Sequence, residues 1–266
     1  MRVITYNVNS LRARLPRLMV LLEEHRPDVV CLQETKSTTE QFPHDALEAA
    51  GYAAVDHSGG RWEGVAVLAR QELPVTGTVL GLEGEAQPDQ ARWIEAIVSG
   101  VRVVSVYVPN GQAIGSAAFL DKLAFLDAMS DRAAALAHEP VIICGDMNVC
   151  PSDLDVWSVP DIHGGTHITP EERERLAKVV DRGYVDAYRS MYPDEPGFTW
   201  WDYRAGHFHK GFGLRIDHAL LSPGFSTEVE RVWVDRSFRK PSKVREAKPS
   251  DHAPLVIDLT YELKAS

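Results

Sequence analysis

The sequence predicts an α/β domain in which two sheets pack face to face and helices lie outside them. Strand-like and helix-like segments alternate along all 266 residues, strands outnumber helices, and no Gly-, Pro- or Ser-rich linker divides the chain. Ser99-Gly100 separates two apolar runs, which predicts a hairpin and therefore some antiparallel pairing. A simple doubly wound parallel sheet is accordingly disfavoured, and we expect one domain over residues 1–266.

Hydrophobic periodicity supplies the individual elements. Residues 1–7 alternate with β-branched side chains and predict a strand, and leucines at helical spacing predict a helix over 15–24 that ends near Pro27. Further helices are predicted over 119–138 and 171–182. Short apolar runs, typical of strands covered on both faces, predict the remaining strands at 29–32, 65–69, 94–98, 101–108, 141–144, 219–221 and 256–259.

Composition restricts the class of protein. With 38 acidic and 28 basic residues the net charge is −10, which disfavours a uniformly basic nucleic-acid binder. No run approaches the roughly 18 apolar residues of a membrane span, and the first apolar run is too short for a signal peptide. The cysteines number three, and two lie in apolar runs. We therefore expect buried, reduced thiols and a cytoplasmic protein without a membrane partner.

Polar side chains interrupt the apolar runs where the predicted strands end. Any one of them alone is more often a turn or helix-capping residue. Because loops at strand ends carry the chemistry of α/β folds, the whole set predicts one pocket. The set comprises Asn7, Glu34, Tyr107, Asn110, Asp146, Asn148, Asp217, Asp251 and His252.

The oxygen-rich set suits a hard cation and a phosphate ester. Magnesium usually binds only one or two protein oxygen ligands and keeps several waters. Glu34 and Asn7 would provide such a small set of ligands. The cysteines lack the paired spacing of a zinc or iron–sulfur site. His163 and His167 have the spacing of one helical turn, but Gly164-Gly165 between them favours a loop over a zinc-binding helix.

Two pairs of residues suggest acid–base chemistry. In an extended Gly-Asp-Met-Asn segment, Asp146 and Asn148 point the same way, so a carboxylate orients a water while an amide donates to a developing negative oxygen. Asp217 offers a carboxylate that fixes the tautomer of His252 and favours its charged form. No Gly-x-Ser-x-Gly motif accompanies the His–Asp pair, which argues against an acyl hydrolase.

Seven segments in this order carry a family resemblance, at residues 6–14, 32–36, 107–111, 145–148, 201–204, 214–218 and 249–254. They resemble the exonuclease III family of AP endonucleases, DNA-repair enzymes within the endonuclease/exonuclease/phosphatase superfamily. The Glu, Gly-Asp-x-Asn and Ser-Asp-His motifs are similar across the superfamily. Trp-Asp-Tyr-Arg followed by Leu-Arg-Ile-Asp is what resembles the DNA-repair branch.

The resemblance implies a DNase I-like, four-layer αββα sandwich of two packed mixed sheets flanked by helices. It implies a divalent metal, Mg²⁺ or alternatively Mn²⁺, and phosphodiester hydrolysis in duplex DNA. The implied activities are cleavage 5′ to abasic sites and trimming of 3′ ends, as a 3′→5′ exonuclease and a 3′-phosphatase. Their relative weight would depend on the loops around His167, Trp200 and Leu214. A monomer is expected.

The resemblance also assigns roles, residue by residue. Metal ligands would be Glu34, Asn7 and, for a second site, Asp251. Catalytic residues would be Asp146, Asn148, His252, Asp217, Tyr107 and Asn110. DNA contacts would be Arg12, Lys36, Arg204, Trp200, Leu214 and Ile216, with the last three around a slot for a sugar that has lost its base. The identity of the base, the number of metals, and the choice between the metal and an acidic Tyr107 at the leaving oxygen stay open.

The distribution of charge explains how an acidic chain could hold DNA. Residues 204–248 contain ten Lys or Arg against five Asp or Glu, and Arg12, Arg14 and Arg17 form a basic cluster near Asn7. Such patches neutralise phosphates without reading bases. Of the alternative functions, a superfamily phosphatase for a small phosphomonoester is disfavoured by this basic balance. A catalytically silent DNA-binding or scaffold protein is disfavoured by the intact catalytic set.

Overall fold

A computed structural model describes residues 1–242 and 247–263. Twelve strands lie in these ranges and form two six-stranded sheets. In chain order they are β1 (Arg2–Asn7), β2 (Val29–Gln33), β3 (Tyr52–His57), β4 (Val65–Arg70), β5 (Val75–Leu80), β6 (Trp93–Val98), β7 (Val101–Tyr107), β8 (Val141–Asp146), β9 (Val185–Asp186), β10 (Asp217–Leu221), β11 (Val229–Val234) and β12 (Leu255–Leu259).

The helices differ widely in length. In chain order they are α1 (Leu11–His25), α2 (His44–Ala49), α3 (Ala117–Leu136), α4 (Val159–Ile162), α5 (Pro170–Asp181), α6 (Ala187–Met191) and α7 (His207–Lys210). Among the described residues, no helix combines the length and apolar character that a membrane crossing requires.

Both sheets are mixed. The first has the order β11-β12-β1-β2-β4-β3 and the second β5-β6-β7-β8-β10-β9. Two pairs are parallel, β1 with β2 across α1 and β7 with β8 across α3, while the other neighbours are antiparallel. The predicted hairpin at Ser99-Gly100 joins β6 to β7, and both turn residues have positive φ, as a tight hairpin requires.

Three hydrophobic clusters hold four layers together. Val29 and Ile142 belong to a core between the two sheets. Leu18 of α1 packs on the outer face of the first sheet, and Met129 of α3 packs on that of the second. Burying one such side chain contributes roughly 1.5–3 kcal/mol. The predicted αββα sandwich of two mixed sheets is confirmed.

The strands that sequence periodicity missed are edge strands. β3, β5, β9 and β11 each end a sheet, and β5 leaves most of its residues exposed. An edge strand is covered on fewer sides, so its sequence lacks the continuous apolar run that marks a central strand. The first helix also begins earlier than predicted, at Leu11, because Leu11 is itself buried.

Candidate active site

The ends of central strands from both sheets bring polar side chains to one edge. Asn7 ends β1 beside Gln33 of β2, so Glu34 follows at the same edge. Asp146 ends β8 and pairs in register with Asp217, which begins the antiparallel β10. The fold thus places polar side chains from both sheets around one point.

Asn7 links the two sheets at this point. Its Nδ2 donates to Glu34 Oε1 at 2.7 Å and to Asp146 Oδ2 at 2.9 Å. Its Oδ1 accepts the backbone N–H of Asn9 at 3.0 Å. In this arrangement Asn7 bridges two carboxylates as a donor, whereas its predicted role was that of an oxygen ligand.

Gly145 allows β8 to deliver Asp146 to the site. Its φ is +154°, and a Cβ at this position would lie 2.0 Å from the carbonyl oxygen of Val106 on β7. Because a backbone atom cannot yield as a flexible side chain can, only glycine permits this close approach of the strands.

His252 forms a buried pair with Asp217. Its Nδ1 lies 2.8 Å from Asp217 Oδ2, and its Nε2 lies 3.7 Å from Asp146 Oδ2. Burial opposes the charge on the imidazole, but the Asp217 carboxylate outweighs it and, with Asp146 and Asp251, raises the pKa of His252 to about 10. The imidazolium form therefore prevails at neutral pH.

The surroundings of Asp146 disfavour the ionised form of its carboxyl group. Burial, together with the carboxylates of Asp217 and Glu34, raises its pKa to about 8 against the opposing effect of His252. Its Oδ1 accepts the backbone N–H of Asn148 at 2.9 Å. Additional positive charge at this position would favour the ionised form.

Glu34 and Asp251 belong to one network with Lys36 and Asn9. Lys36 Nζ lies 2.8 Å from Glu34 Oε2 and donates to Asn9 Oδ1 at 2.7 Å. Asn9 Nδ2 donates to Asp251 Oδ1 at 3.0 Å, and the Trp200 indole N–H donates to Asp251 Oδ2 at 3.1 Å. Lys36, expected to contact DNA, thus has its ammonium on the acidic cluster.

Asn148 and Asn110 lie beside Asp146, but the extended backbone expected for Asn148 is wrong. Its φ is +50°, and its Nδ2 donates to the carbonyl oxygen of Val108 at 2.9 Å. Asn110 Nδ2 donates to Asn148 Oδ1 at 3.4 Å. The left-handed region is uncommon for a non-glycine residue, although Asn enters it more readily than most, and the contacts around Asn148 stabilise this conformation.

Tyr107 is not acidified. Burial raises its pKa well above the ordinary value, and the carboxylates of Glu34 and Asp146 raise it further. The Arg92 guanidinium lies 4.7 Å from the centre of the phenol ring and acts in the opposite direction. Tyr107 therefore stays a neutral phenol that keeps its proton, and its role at the leaving oxygen stays a prediction.

An apolar cluster adjoins the polar site. Leu214 and Ile216 are buried together with Cys150, and the half-buried Trp200 packs against them. Trp200 pairs with Leu214 through two backbone hydrogen bonds of 3.0 Å and forms an isolated bridge with His252. The three residues predicted to line a sugar slot therefore meet next to His252.

The predicted basic residues divide into two groups. Arg12 is exposed, as is Arg204, whose side chain is 88% exposed and pairs with Asp202. Arg17 and Arg215 are buried, and we correct their place in the basic patches: Arg17 binds backbone carbonyl oxygens and Arg215 pairs with aspartates. Lys243, Arg245 and Glu246, counted in the basic stretch, lie outside the described residues.

Two neighbouring residues were missed or left unassigned. His167 lies in a loop, as expected, and its Nδ1 is 2.6 Å from the carbonyl oxygen of Asn148. Burial lowers its pKa to about 4, so the ring is neutral. Lys122 on α3 contacts the same carbonyl at 2.7 Å. A lone lysine among helical residues carries no signal that marks it in the sequence.

The donor set fits a divalent cation. One ligand atom each from Glu34, Asp146 and His252 lies within 4.8 Å of the others. Since His252 is an imidazolium held by Asp217, a carboxylate such as that of Glu34 would be the ligand, and oxygen donors suit magnesium or manganese better than zinc. Burial is the main cause of the raised pKa of Asp146, with repulsion from Asp217 and Glu34 added to it, and a divalent charge nearby would lower that pKa.

Known proteins share this fold and sequence pattern. Residues 4–252 match the model of the Endonuclease/Exonuclease/phosphatase family. The exodeoxyribonuclease III of Haemophilus influenzae is 32% identical over 274 residues, covering 96% of this chain and 98% of that protein.

Two solved structures extend the comparison. The 3′ phosphatase NExo from Neisseria, bound to product DNA hairpin, is 34% identical with a TM-score of 0.90, covering 98% of this chain and 100% of that one. An AP endonuclease from Archaeoglobus fulgidus is 30% identical with a TM-score of 0.91, at the same coverage of 98% and 100%. The chain therefore belongs to the endonuclease/exonuclease/phosphatase family, and within it to the exodeoxyribonuclease III type.

Proposed function

We propose that this chain hydrolyses phosphate esters of duplex DNA with Mg²⁺, or alternatively Mn²⁺, cleaving 5′ to abasic sites and trimming 3′ ends. The observation that carries the proposal is the cluster in which Asn7 bridges Glu34 and Asp146 opposite the imidazolium of His252. Similarity to an exodeoxyribonuclease III, a 3′ phosphatase and an AP endonuclease supports it.

Glu34 would hold the metal, and Asp251 is the candidate for a second site. When bound, a divalent ion neutralises the non-bridging phosphate oxygens and stabilises the leaving oxygen. Lys36 would share the Glu34 carboxylate with that charge, since its ammonium already lies on it.

Asp146 would orient or deprotonate the attacking water. That role needs the carboxylate form, which burial disfavours and nearby positive charge restores. The backbone N–H of Asn148 fixes one oxygen and Asn7 the other, so the carboxylate is held before substrate arrives.

His252 would donate from Nε2 to a phosphate oxygen while Asp217 holds the ring. The side-chain amides of Asn110 and Asn148, with the neutral phenol of Tyr107, would add donors without net charge. This division gives attack to Asp146 and charge stabilisation to His252.

Trp200, Leu214 and Ile216 would receive the deoxyribose of an abasic site. An apolar slot admits a flipped sugar that lacks its base, and an unstacked abasic site is cheap to extrude. The exposed Arg12 and Arg204 would contact backbone phosphates and fix register.

The test compares three duplexes: one with an abasic site, one with a nick bearing a 3′-phosphate, and one intact. We expect metal-dependent product from the first two, slower degradation of the third, and none in EDTA. Asp146→Asn serves as the matched inactive control. Product in EDTA, or faster turnover of free nucleotides or inositol phosphates than of DNA, would overturn the proposal in favour of another chemistry or the small-molecule phosphatase.

A further inference from the structure

Lys122 is a fully buried cation outside the set of residues that would contact substrate or metal. It lies on α3 with its side chain 0% exposed. Its Nζ contacts the carbonyl oxygens of Asn148 at 2.7 Å and Asn110 at 3.2 Å, and Thr166 Oγ1 at 3.0 Å. One ammonium thus contacts three separate loops at the active-site edge.

Glu172 on α5 is the counter-charge, and its side chain is also 0% exposed. Its Oε1 accepts from Lys122 Nζ and from the backbone N–H of His167, while its Oε2 closes the capping box of α5 with Thr169. The ion pair therefore joins α3 to the beginning of α5 and to the loop that carries His167.

We propose that Lys122 is a positioning residue for phosphate hydrolysis, acting through the backbone of Asn148 and Asn110. The proposal rests on the proposed function, because it assumes that these two amides face the phosphate. Lys122 itself is buried behind the loops and contacts no reacting atom.

Lys122 would act by stabilising the backbone conformation of Asn148. Its φ of +50° lies in the left-handed region, which is uncommon for a residue with a side chain although Asn enters it more readily than most. Two groups contact its carbonyl oxygen: Lys122 Nζ at 2.7 Å and His167 Nδ1 at 2.6 Å. On its other side the same residue donates its N–H to Asp146. Displacing the carbonyl would therefore move both the amide and the hydrogen bond that fixes Asp146.

A buried cation suits this task better than an apolar side chain of equal length. An ammonium has three directed donors, whereas a methionine leaves the carbonyl oxygens of Asn110 and Asn148 unpaired. Gly111 makes room for it, since a Cβ there would lie 2.9 Å from Lys122 Cδ. The packing is thus built around the lysine stem.

The test uses Lys122→Met combined with Glu172→Gln, which removes both charges and leaves an amide oxygen for the backbone N–H of His167. Turnover, KM, thermal unfolding, and DNA affinity in EDTA are measured on a 3′-phosphate duplex. We expect kcat to fall by about 100-fold or more, while KM and DNA affinity stay within about 3-fold, because misplacement of catalytic groups acts on turnover.

Arg132→Met is the matched control. Arg132 also lies on α3 and pairs with a buried acid, Glu95, at 2.7 Å. We expect it to lower the unfolding temperature without changing kcat. Lys122→Gln, which keeps two N–H donors, should give an intermediate kcat and serves if the double variant does not fold at assay temperature.

A double variant that folds and keeps kcat within about 3-fold of the wild type would overturn the inference, as would a Lys122→Gln variant with unchanged turnover. Equal losses in the Arg132 control would do the same, since they would trace the effect to stability. If the wild type is inactive on every DNA ester, the proposed function is refuted, and the inference about Lys122 falls with it. This outcome is distinct from a loss of the inference alone, in which the wild type is active.

Discussion

His252 and Asp146 face each other, and the charges and burial around them control the ionisation on which their proposed roles depend. The Asp217 carboxylate keeps the His252 ring charged, and burial makes Asp146 reluctant to ionise. Both pKa values are raised, that of His252 to about 10 and that of Asp146 to about 8, so positive charge beside Asp146 is needed to favour its carboxylate form at neutral pH. The carboxylate of Glu34 adjoins them, with a ligand atom within 4.8 Å of one from each of the other two.

Asp146→Asn and His252→Asn test these roles. Asp146→Asn keeps the shape of the side chain, whereas His252→Asn replaces the ring by a smaller amide that can still bond to Asp217. Both remove the proton chemistry of the side chain, and each should lower single-turnover hydrolysis by about 10²–10⁴-fold. Circular dichroism and thermal unfolding check that the variants stay folded. A variant that hydrolyses DNA at a near-native rate would remove its residue from the mechanism.

At the scale of elements, the close approach of β7 and β8 controls where Asp146 lies. Gly145→Ala would force a Cβ toward the Val106 carbonyl oxygen and should destabilise the fold by about 3 kcal/mol. Gly100→Ala is the control, because Gly100 also has positive φ but has no atom within 4 Å of a built Cβ. Urea denaturation measures the free energy of unfolding of both variants. Equal losses of stability would refute the predicted collision between the new Cβ and the Val106 carbonyl oxygen.

The α3–α5 ion pair predicts an acid-sensitive contribution to stability. Burial opposes ionisation of Glu172, but Lys122 outweighs it and lowers the pKa from 4.5 to about 2. This depressed pKa contributes stability that is fully present above pH 4.5 and is lost as pH falls toward 2, because the unfolded chain takes up the proton first.

In Glu172→Gln, the free energy of unfolding should therefore depend less steeply on pH between pH 4.5 and 2. The slope should differ from that of the wild type by an amount that corresponds to about one bound proton. Urea unfolding at a series of pH values measures the difference from the wild type. Other carboxylates contribute to both profiles, so only the difference is diagnostic. Parallel profiles would show that Glu172 titrates alike in both states.

The sequence predicted the elements that are buried on both sides and missed those at the edges. Continuous apolar runs predict the strands Val29–Gln33 and Val141–Asp146, and the polar residues at their ends predict the candidate site. Val75–Leu80 has no such run because most of it faces solvent. Lys122 and His167 could not be found in this way, because their partners are distant in the chain and only the fold brings them together.

At the scale of the whole molecule, the candidate site lies where the two sheets meet. Asn7 and Glu34 come from the first sheet, while Asp146 and Asp217 come from the second. The net charge of −10 is offset locally by exposed arginines such as Arg12 and Arg204, although Arg204 is paired with Asp202. A divalent ion held between the sheets would add positive charge where a polyanionic substrate binds.

A Mg²⁺ titration of turnover on a 3′-phosphate duplex, run for the wild type and for Glu34→Gln, tests this account most directly. We predict that the wild type is inactive in EDTA and saturates as Mg²⁺ is added. The variant should need at least about 10-fold more Mg²⁺ for half-maximal turnover, because it loses a carboxylate ligand. Full turnover in EDTA, or superimposable titrations of the two proteins, would contradict the account.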